Sequence, residues 1–335
     1  MGNVTSTALK PTPSTRSSLL PGLFVTGVAV AISMAVGSMG VSALLVAIVL
    51  GVACGNLLRL PVALDVGLAF ASKRLLRVGI VVLGLQLTVG EIWALGPRLI
   101  AVVVAVVVIG ILTTLGLGRL LGVSPTQRLL IACGFSICGA AAVAAVDGVI
   151  DAEEDEVVTA IGLVVAYGTT AMLLLPLAAT LIGLPPELTG LWAGASIHEV
   201  AQVVAVGGSL GTVALHCAVV VKLARVLLLA PVMAAVSIGA RRRHVATGRR
   251  PPVVPLFVAG FLAMVALRST GWVPDAVVPV ASTVQTVLLS AAMFALGTGA
   301  RLATFRRLGP APLILGAAST LVVSLVALGG TLLAT

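Results

Sequence analysis

Residues 194–206 read GASIHEVAQVVAV. His198, Glu199 and Gln202 stand there inside a run that otherwise belongs in hydrocarbon, and the reading of that run decides what kind of helical protein this is. The composition excludes a soluble helix with one polar face. Of 335 residues, 59% are hydrophobic and only 9% charged, with a mean hydropathy of +1.22. A soluble domain carries about 25% charged residues. A spanning helix needs about 20 predominantly apolar residues, and such stretches recur along the whole chain. The fold class this implies is all-α: a polytopic transmembrane helical bundle of about 10–11 spans, with inverted repeats and broken helices.

The candidate spans are residues 20–39, 42–58, 75–95, 98–118, 128–147, 157–182, 190–207, 212–238, 254–269, 277–300 and 311–333. The polar Ser/Thr/Pro-rich tail at 1–19 is expected to be disordered, and 20–335 to form a single integral membrane domain. Segment 190–207 is short enough to be re-entrant, but it is taken as a crossing because of the loop charges. Cytoplasmic loops collect Lys and Arg. With the N-terminus inside, one side receives Arg59, Lys73, Arg74, Arg77, Arg119, Arg128, the run RRRHVATGRR at 241–250, Arg301, Arg306 and Arg307. The other side receives the acidic run DAEEDE at 151–156, Asp275 and Arg98, and the C-terminus lies outside. The net charge of +9 is thus read as loop anchors in a cell membrane, not as a nucleic-acid face.

Two internal echoes support repeats. LGLQLTVGEIWALGP at 83–97 resembles LGTGARLATFRRLGP at 296–310, and GFSICGAAAVAAV at 134–146 resembles GASIHEVAQVVAV at 194–206. Inverted repeats with discontinuous helices are characteristic of secondary transporters. Ser196 followed by Glu199 reads as a capping box, and Ser136 in GFS offers the same cap. Two half-helix N-termini facing one cavity would hold an anion with backbone N–H groups. Lys222 and Arg225, three residues apart on one helix face, need a carboxylate, a carbonyl or a substrate anion as partner. Arg77 and Gln86 could extend that positive lining, although Arg77 also reads as a loop anchor.

Other chemistries are less well supported. HEVAQ lacks the second histidine that a zinc protease helix places at i+4, and Gln202 is a poor zinc ligand. An intramembrane hydrolase is therefore disfavoured, and no enzymatic activity is expected. Cys54, Cys133, Cys138 and Cys217 lack zinc-ligand spacing. No Walker A motif is present, and no cofactor or metal is expected.

The segments LLRVGIVVLGLQLT, GFSICGAAAV, GASIHEVAQVVAVGG and VKLARVLLLAP together resemble the YeiH-type family, whose members are named as sulfate exporters. The resemblance runs from about residue 20 to the end. It implies a secondary transporter, grouped with carriers similar to the bile acid/sodium symporters, that moves an inorganic or small organosulfur anion. By motif, Ser136, Cys138, His198, Glu199, Gln202, Lys222 and Arg225 match family positions. Phe135 stands where a small residue is usual, and Gln86 where members often carry arginine.

The expected function is secondary transport of a small anion, sulfate first, with proton coupling. Ser136, Cys138, Ser196, Gln202, Lys222 and Arg225 are the candidate substrate contacts. His198 and Glu199 are the candidate proton carriers, since histidine changes charge nearest neutral pH. The alternative within transport is a cation-coupled carrier of an organic anion. The lipid bilayer is the other expected partner, and homo-oligomerisation is left open.

Overall fold

The computed structural model describes residues 18–39, 43–150, 152–243, 256–299 and 309–335. The expected disordered tail lies outside these residues up to position 17, as do 244–255 and 300–308. Every described apolar segment is helical: α1 Leu19–Gly37, α2 Ala43–Leu57, α3 Asp65–Phe70, α4 Leu76–Leu83, α5 Val89–Ala94, α6 Gly96–Leu120, α7 Pro125–Ser136, α8 Ala140–Asp147, α9 Glu154–Leu181, α10 Pro186–Ser196, α11 Val200–Leu210, α12 Thr212–Leu227, α13 Leu229–Arg243, α14 Leu256–Ser269, α15 Val277–Gly299 and α16 Pro310–Ala334. A π-helical turn, Ala71–Leu75, joins α3 to α4 in one continuous helical run. The expected span 75–95 therefore lies about one-half span too late. The polar turn at Gln86 and the capping box of Thr88 with Glu91 end that crossing and begin a short connecting helix.

Two of the expected crossings do not cross. At Gly134 an added Cβ would lie 2.7 Å from Val143, nine residues on, which requires the chain to double back at 137–139. Ser124, before α7, donates to the Glu156 carboxylate, after α8, so the two helices enter and leave at one face. The second hairpin is made the same way. Gly190 and Gly194 of α10 meet the backbone of Ala214 and Ala218 in α12, while Gly207 of α11 meets Leu215. Only glycine permits the first two contacts, because a Cβ would stand 2.4 and 2.3 Å from the facing carbonyl oxygens. The start of α10 and the end of α11 thus share the face from which α12 departs.

The remaining helical runs connect opposite faces. Helix α6 runs antiparallel to α7, since Gly118 packs on Arg128 and Gly110 on Ser136. Residues Pro125 and Ile150 share a cavity wall with Gly239 and Ala240, so α13 ends at the face where the first hairpin opens. Gly118 also meets Leu315, and Gly330 meets Val102, so α16 runs from that face to the other. The face carrying Arg119 and Arg128 also receives the start of α9 and its acidic run. This corrects the expected charge partition: 152–156 lies on the basic face, not the opposite one. The parity objection to a re-entrant 190–207 disappears because 128–147 is re-entrant as well. Two fewer crossings leave the start of α1 and the end of α16 on opposite faces, as the loop charges required.

Two bundles result. Helices α1–α4, α14 and α15 pack on one another, and α6–α12 pack with α16, with α13 spanning between them. The 134–146 and 194–206 echoes are the tips of the two hairpins, which open at opposite faces and so form an inverted pair. Reporters placed at residue 155 and at residue 245 are expected on the same side of the membrane, with one at Glu187 on the other. Opposite readings at 155 and 245 would contradict the hairpin fold.

Candidate functional site

Broken helices leave backbone groups without partners, and in a bilayer interior water cannot supply them. The two hairpin tips meet in the protein interior, so four half-helix ends have to be satisfied there. Helix α7 ends at Ser136 and α10 at Ser196, presenting carbonyls; α8 begins at Ala140 and α11 at Val200, presenting N–H groups.

The carbonyl ends are met by α12. Lys222 is fully buried and spends its three N–H donors on Ile137 O at 2.9 Å, Ile197 O at 2.8 Å and His198 O at 2.6 Å. Arg225, also fully buried, donates from Nε to Ser136 O at 3.2 Å and from Nη2 to Phe135 O at 3.1 Å. Its Nη1 faces Gly194, Ala195 and Ile197 carbonyls at 3.3, 2.7 and 3.2 Å. Each cation thus binds both hairpins at once, where the negative ends of the half-helix dipoles converge.

The amide ends are met by Glu199. Its Oε1 accepts from the Ala140 N–H at the start of α8, and its carboxylate accepts the N3 amide of α11, which it caps. One carboxylate therefore clamps the positive ends of both half-helices. Gln202 completes the capping box through Glu199 N–H at 3.3 Å and donates to Thr169 Oγ1 at 3.3 Å. The expected cap is thus displaced by three residues: Glu199, not Ser196, begins the second half-helix, and Gly139, not Ser136, precedes the first. Ser196 ends α10 and donates to Trp192 O at 2.6 Å. Ser136 ends α7, and its buried Oγ has no hydrogen-bond partner among the described residues.

His198 Nδ1 lies 3.1 Å from Phe135 O, an acceptor, so Nδ1 carries a proton. Its Nε2 lies 3.0 Å from Thr320 Oγ1, which is itself 2.9 Å from Gly316 O. Thr320 has one hydroxyl proton. A neutral ring accepts it; a protonated ring donates to the threonine oxygen, whose own proton then points to Gly316. The ring also packs on Phe135, with centroids 4.5 Å apart.

Between the bundles, at the tips, lies a cavity of about 30 Å³ walled by Leu76, Ile80, Leu83, Leu289 and Met293 on one side. Cys138, Ala141, Glu199 and Val200 wall the other, so among the described residues Glu199 is the one charged residue of its lining. The candidates Ser136, Cys138, Ser196, His198, Glu199, Gln202, Lys222 and Arg225 thus come together at or beside the tips. Arg77 does not: it lies over the Phe257 ring at 5.8 Å, towards the basic face. Gln86 lies in the other bundle, bonded to Gln285 at 2.9 Å. Sequence reasoning passed over Gly139, Thr320 and Gln285. Gln285, a polar residue in mid-span, gave the same signal as Gln202; Thr320 gave none, since threonine is common in apolar helices.

Gly139 has φ +77°, and a Cβ there would stand 2.1 Å from Glu199 Oε1. Gly139→Ala should therefore strain the backbone and expel the carboxylate together, lowering the melting temperature in detergent; an unchanged melting temperature would contradict the clamp. Arg225→Leu should be worse, because each buried carbonyl left without a donor costs roughly 1–3 kcal/mol. Arg225→Lys, which keeps the charge but not the planar fork, should lie between it and wild type in the same thermal unfolding series.

Residues 18–316 match the family model described as Conserved hypothetical protein 698. Over 317 residues the chain is 55% identical to a UPF0324 membrane protein of Corynebacterium glutamicum, covering 93% of this chain and 92% of that one. It is 37% identical to a UPF0324 membrane protein of Pseudomonas aeruginosa (89% and 90% covered) and 32% identical to one of Agrobacterium fabrum (87% and 84% covered). These names place the relatives in membranes and specify no substrate. No solved structure matches.

Proposed function

The chain belongs to the family described as conserved hypothetical protein 698, among the UPF0324 membrane proteins, and from its site we propose a secondary active transporter of a small anion, with a sulfur oxyanion such as sulfate as cargo and protons as the coupling ion. One observation carries the reading. The Glu199 carboxylate holds the N-terminal ends of both re-entrant half-helices and lines the cavity between the bundles.

Helix N-termini inside a protein attract anions, and here the protein supplies its own. A cargo anion can take those amides only if the carboxylate gives them up, and two anions do not share so small a cavity unless one is neutralised. Protonating Glu199 removes its charge and weakens its hold on the amides. The anion then binds, and proton and anion travel together. When the anion leaves, the carboxylate loses its proton and returns to the helix ends. His198, with its two-way contact to Thr320, lies beside the tips as a second proton carrier. In this reading Lys222 and Arg225 act as fixed positive charge behind the tips. They hold the breaks open and offset the cargo's charge without donating to it in this conformation.

Exchange between faces then proceeds by movement of one bundle against the other, the hairpins carrying the cargo. The same reading places the chain in the cell membrane with its basic face, and hence its N-terminus, in the cytoplasm, and assigns it no enzymatic step.

The test is anion flux into proteoliposomes driven by a pH gradient. Glu199→Gln keeps the size and a capping oxygen but not the exchangeable charge. It should leave folding intact and abolish gradient-driven accumulation of sulfate. Full gradient-driven transport by that variant would overturn the proton-carrier role.

A further inference from the structure

A second polar feature lies about one helical turn beyond the cavity's lining in the other bundle. On α15, Leu289 and Met293 line it, and Gln285 lies four residues earlier, on the same helix face. On the facing wall Leu76, Ile80 and Leu83 line it, and Gln86 follows three residues on in the 3-10 turn that ends this crossing. The two apolar stripes therefore both end in a glutamine, on the side of the cavity towards the face opposite the basic one. The two amides bond each other, Gln86 Nε2 to Gln285 Oε1, at 2.9 Å. Gln285 is 7% exposed in a crossing helix whose surroundings are apolar, a position where a polar side chain is expensive unless it serves something.

Two side-chain amides carry four N–H bonds, and one is used in their mutual contact. Three remain whichever way the amides are turned. Gln285 accepts through Oε1, and its Nε2 donates to no side chain or carbonyl among the described residues. Nothing on this wall carries a charge, so the donors act on oxygen atoms without fixed electrostatic attraction.

We propose that Gln86 and Gln285 form the second half of the cargo site, donating N–H groups to the oxygens of a small oxyanion held on its other side by the hairpin tips. The inference rests on the transport reading above. The hairpin bundle supplies charge-stabilising helix ends. The glutamine pair supplies shape-selective, uncharged donors on the bundle that the hairpins move past. An anion with several oxygens can engage both halves; a spherical halide cannot use the spread donors in the same way. The pair is thus assigned the discrimination between oxyanions and halides, and it opens towards the non-basic face.

The experiment is binding of sulfate and of chloride to purified wild-type protein, Gln285→Leu and Gln86→Leu, with melting temperatures on the same preparations. Wild type should bind sulfate in preference to chloride. Each variant should lose about tenfold in sulfate affinity, about 1.4 kcal/mol, and keep its weak chloride affinity and its melting temperature. Gln285→Glu, near-isosteric but charged, should lose sulfate binding altogether at neutral pH. Sulfate affinity unchanged in both leucine variants overturns the glutamine site and leaves the transport reading intact. A lowered melting temperature with unchanged affinity also overturns it, because the pair then only joins α15 to the turn. Absence of binding of either anion to wild type overturns the anion-transport reading, and this inference with it.

Discussion

Interrupting a helix inside a bilayer exposes carbonyls and amides that no solvent reaches, and the rest of this structure depends on how those groups are satisfied. Four half-helix ends meet at the hairpin tips. Two cations from α12 take the carbonyl ends, and one carboxylate takes the amide ends. The charges are sorted by dipole: positive side chains sit where helices end and the negative one where helices begin. None of the three could be buried there alone at tolerable energy, and the two tips could not be broken without them. Charge and irregular backbone each make the other tenable.

The clamp is also asymmetric. Lys222 and Arg225 reach the tips from a continuous helix and divide their bonds among carbonyls from both hairpins, so no single proton transfer releases them. The amide ends hang on one ionisable group borne by a tip itself. The carbonyl side is built as a fixed joint, and under the proposed coupling the amide side is the one that a proton opens. The joint lies where the two bundles face each other across a small cavity, and the hairpins open to opposite faces. A site of that kind can be presented to either face by moving the hairpin bundle as a unit, since the close glycine contacts of α10 with α12 tie hairpin to helix.

Much of this could be read from the chain before its folding was known. The apolar runs, the broken helices at 134–146 and 194–206, and the gathering of Ser136, His198, Glu199, Lys222 and Arg225 all follow from polar residues in hydrocarbon stretches. What periodicity could not show was direction. A run of about 20 apolar residues spans a membrane if straight and returns if folded at its middle, and the composition is the same. The glycines at the first fold-back, Gly134 and Gly139, and those that seat the second hairpin on α12, Gly190 and Gly194, look in sequence like ordinary small residues of a packed span. For that reason a count of spans alone puts the acidic run at 152–156 on the wrong face. A carbonyl is among the partners the sequence suggests for the two cations, but which carbonyls they take is illegible, because backbone acceptors have no sequence signature. A capping serine was inferred at Ser196 because Ser-x-x-Glu is a common pattern, but here the glutamate itself is the cap.

The central claim is that the carboxylate of Glu199 holds the place of the cargo anion until a proton neutralises it. Proton uptake on sulfate binding tests it most directly, measured by calorimetric titration of the purified protein in buffers of differing ionisation enthalpy. The account predicts uptake of about one proton per anion bound, lost in Glu199→Gln, which still binds. Sulfate binding by the wild-type protein with no change in bound protons would contradict it.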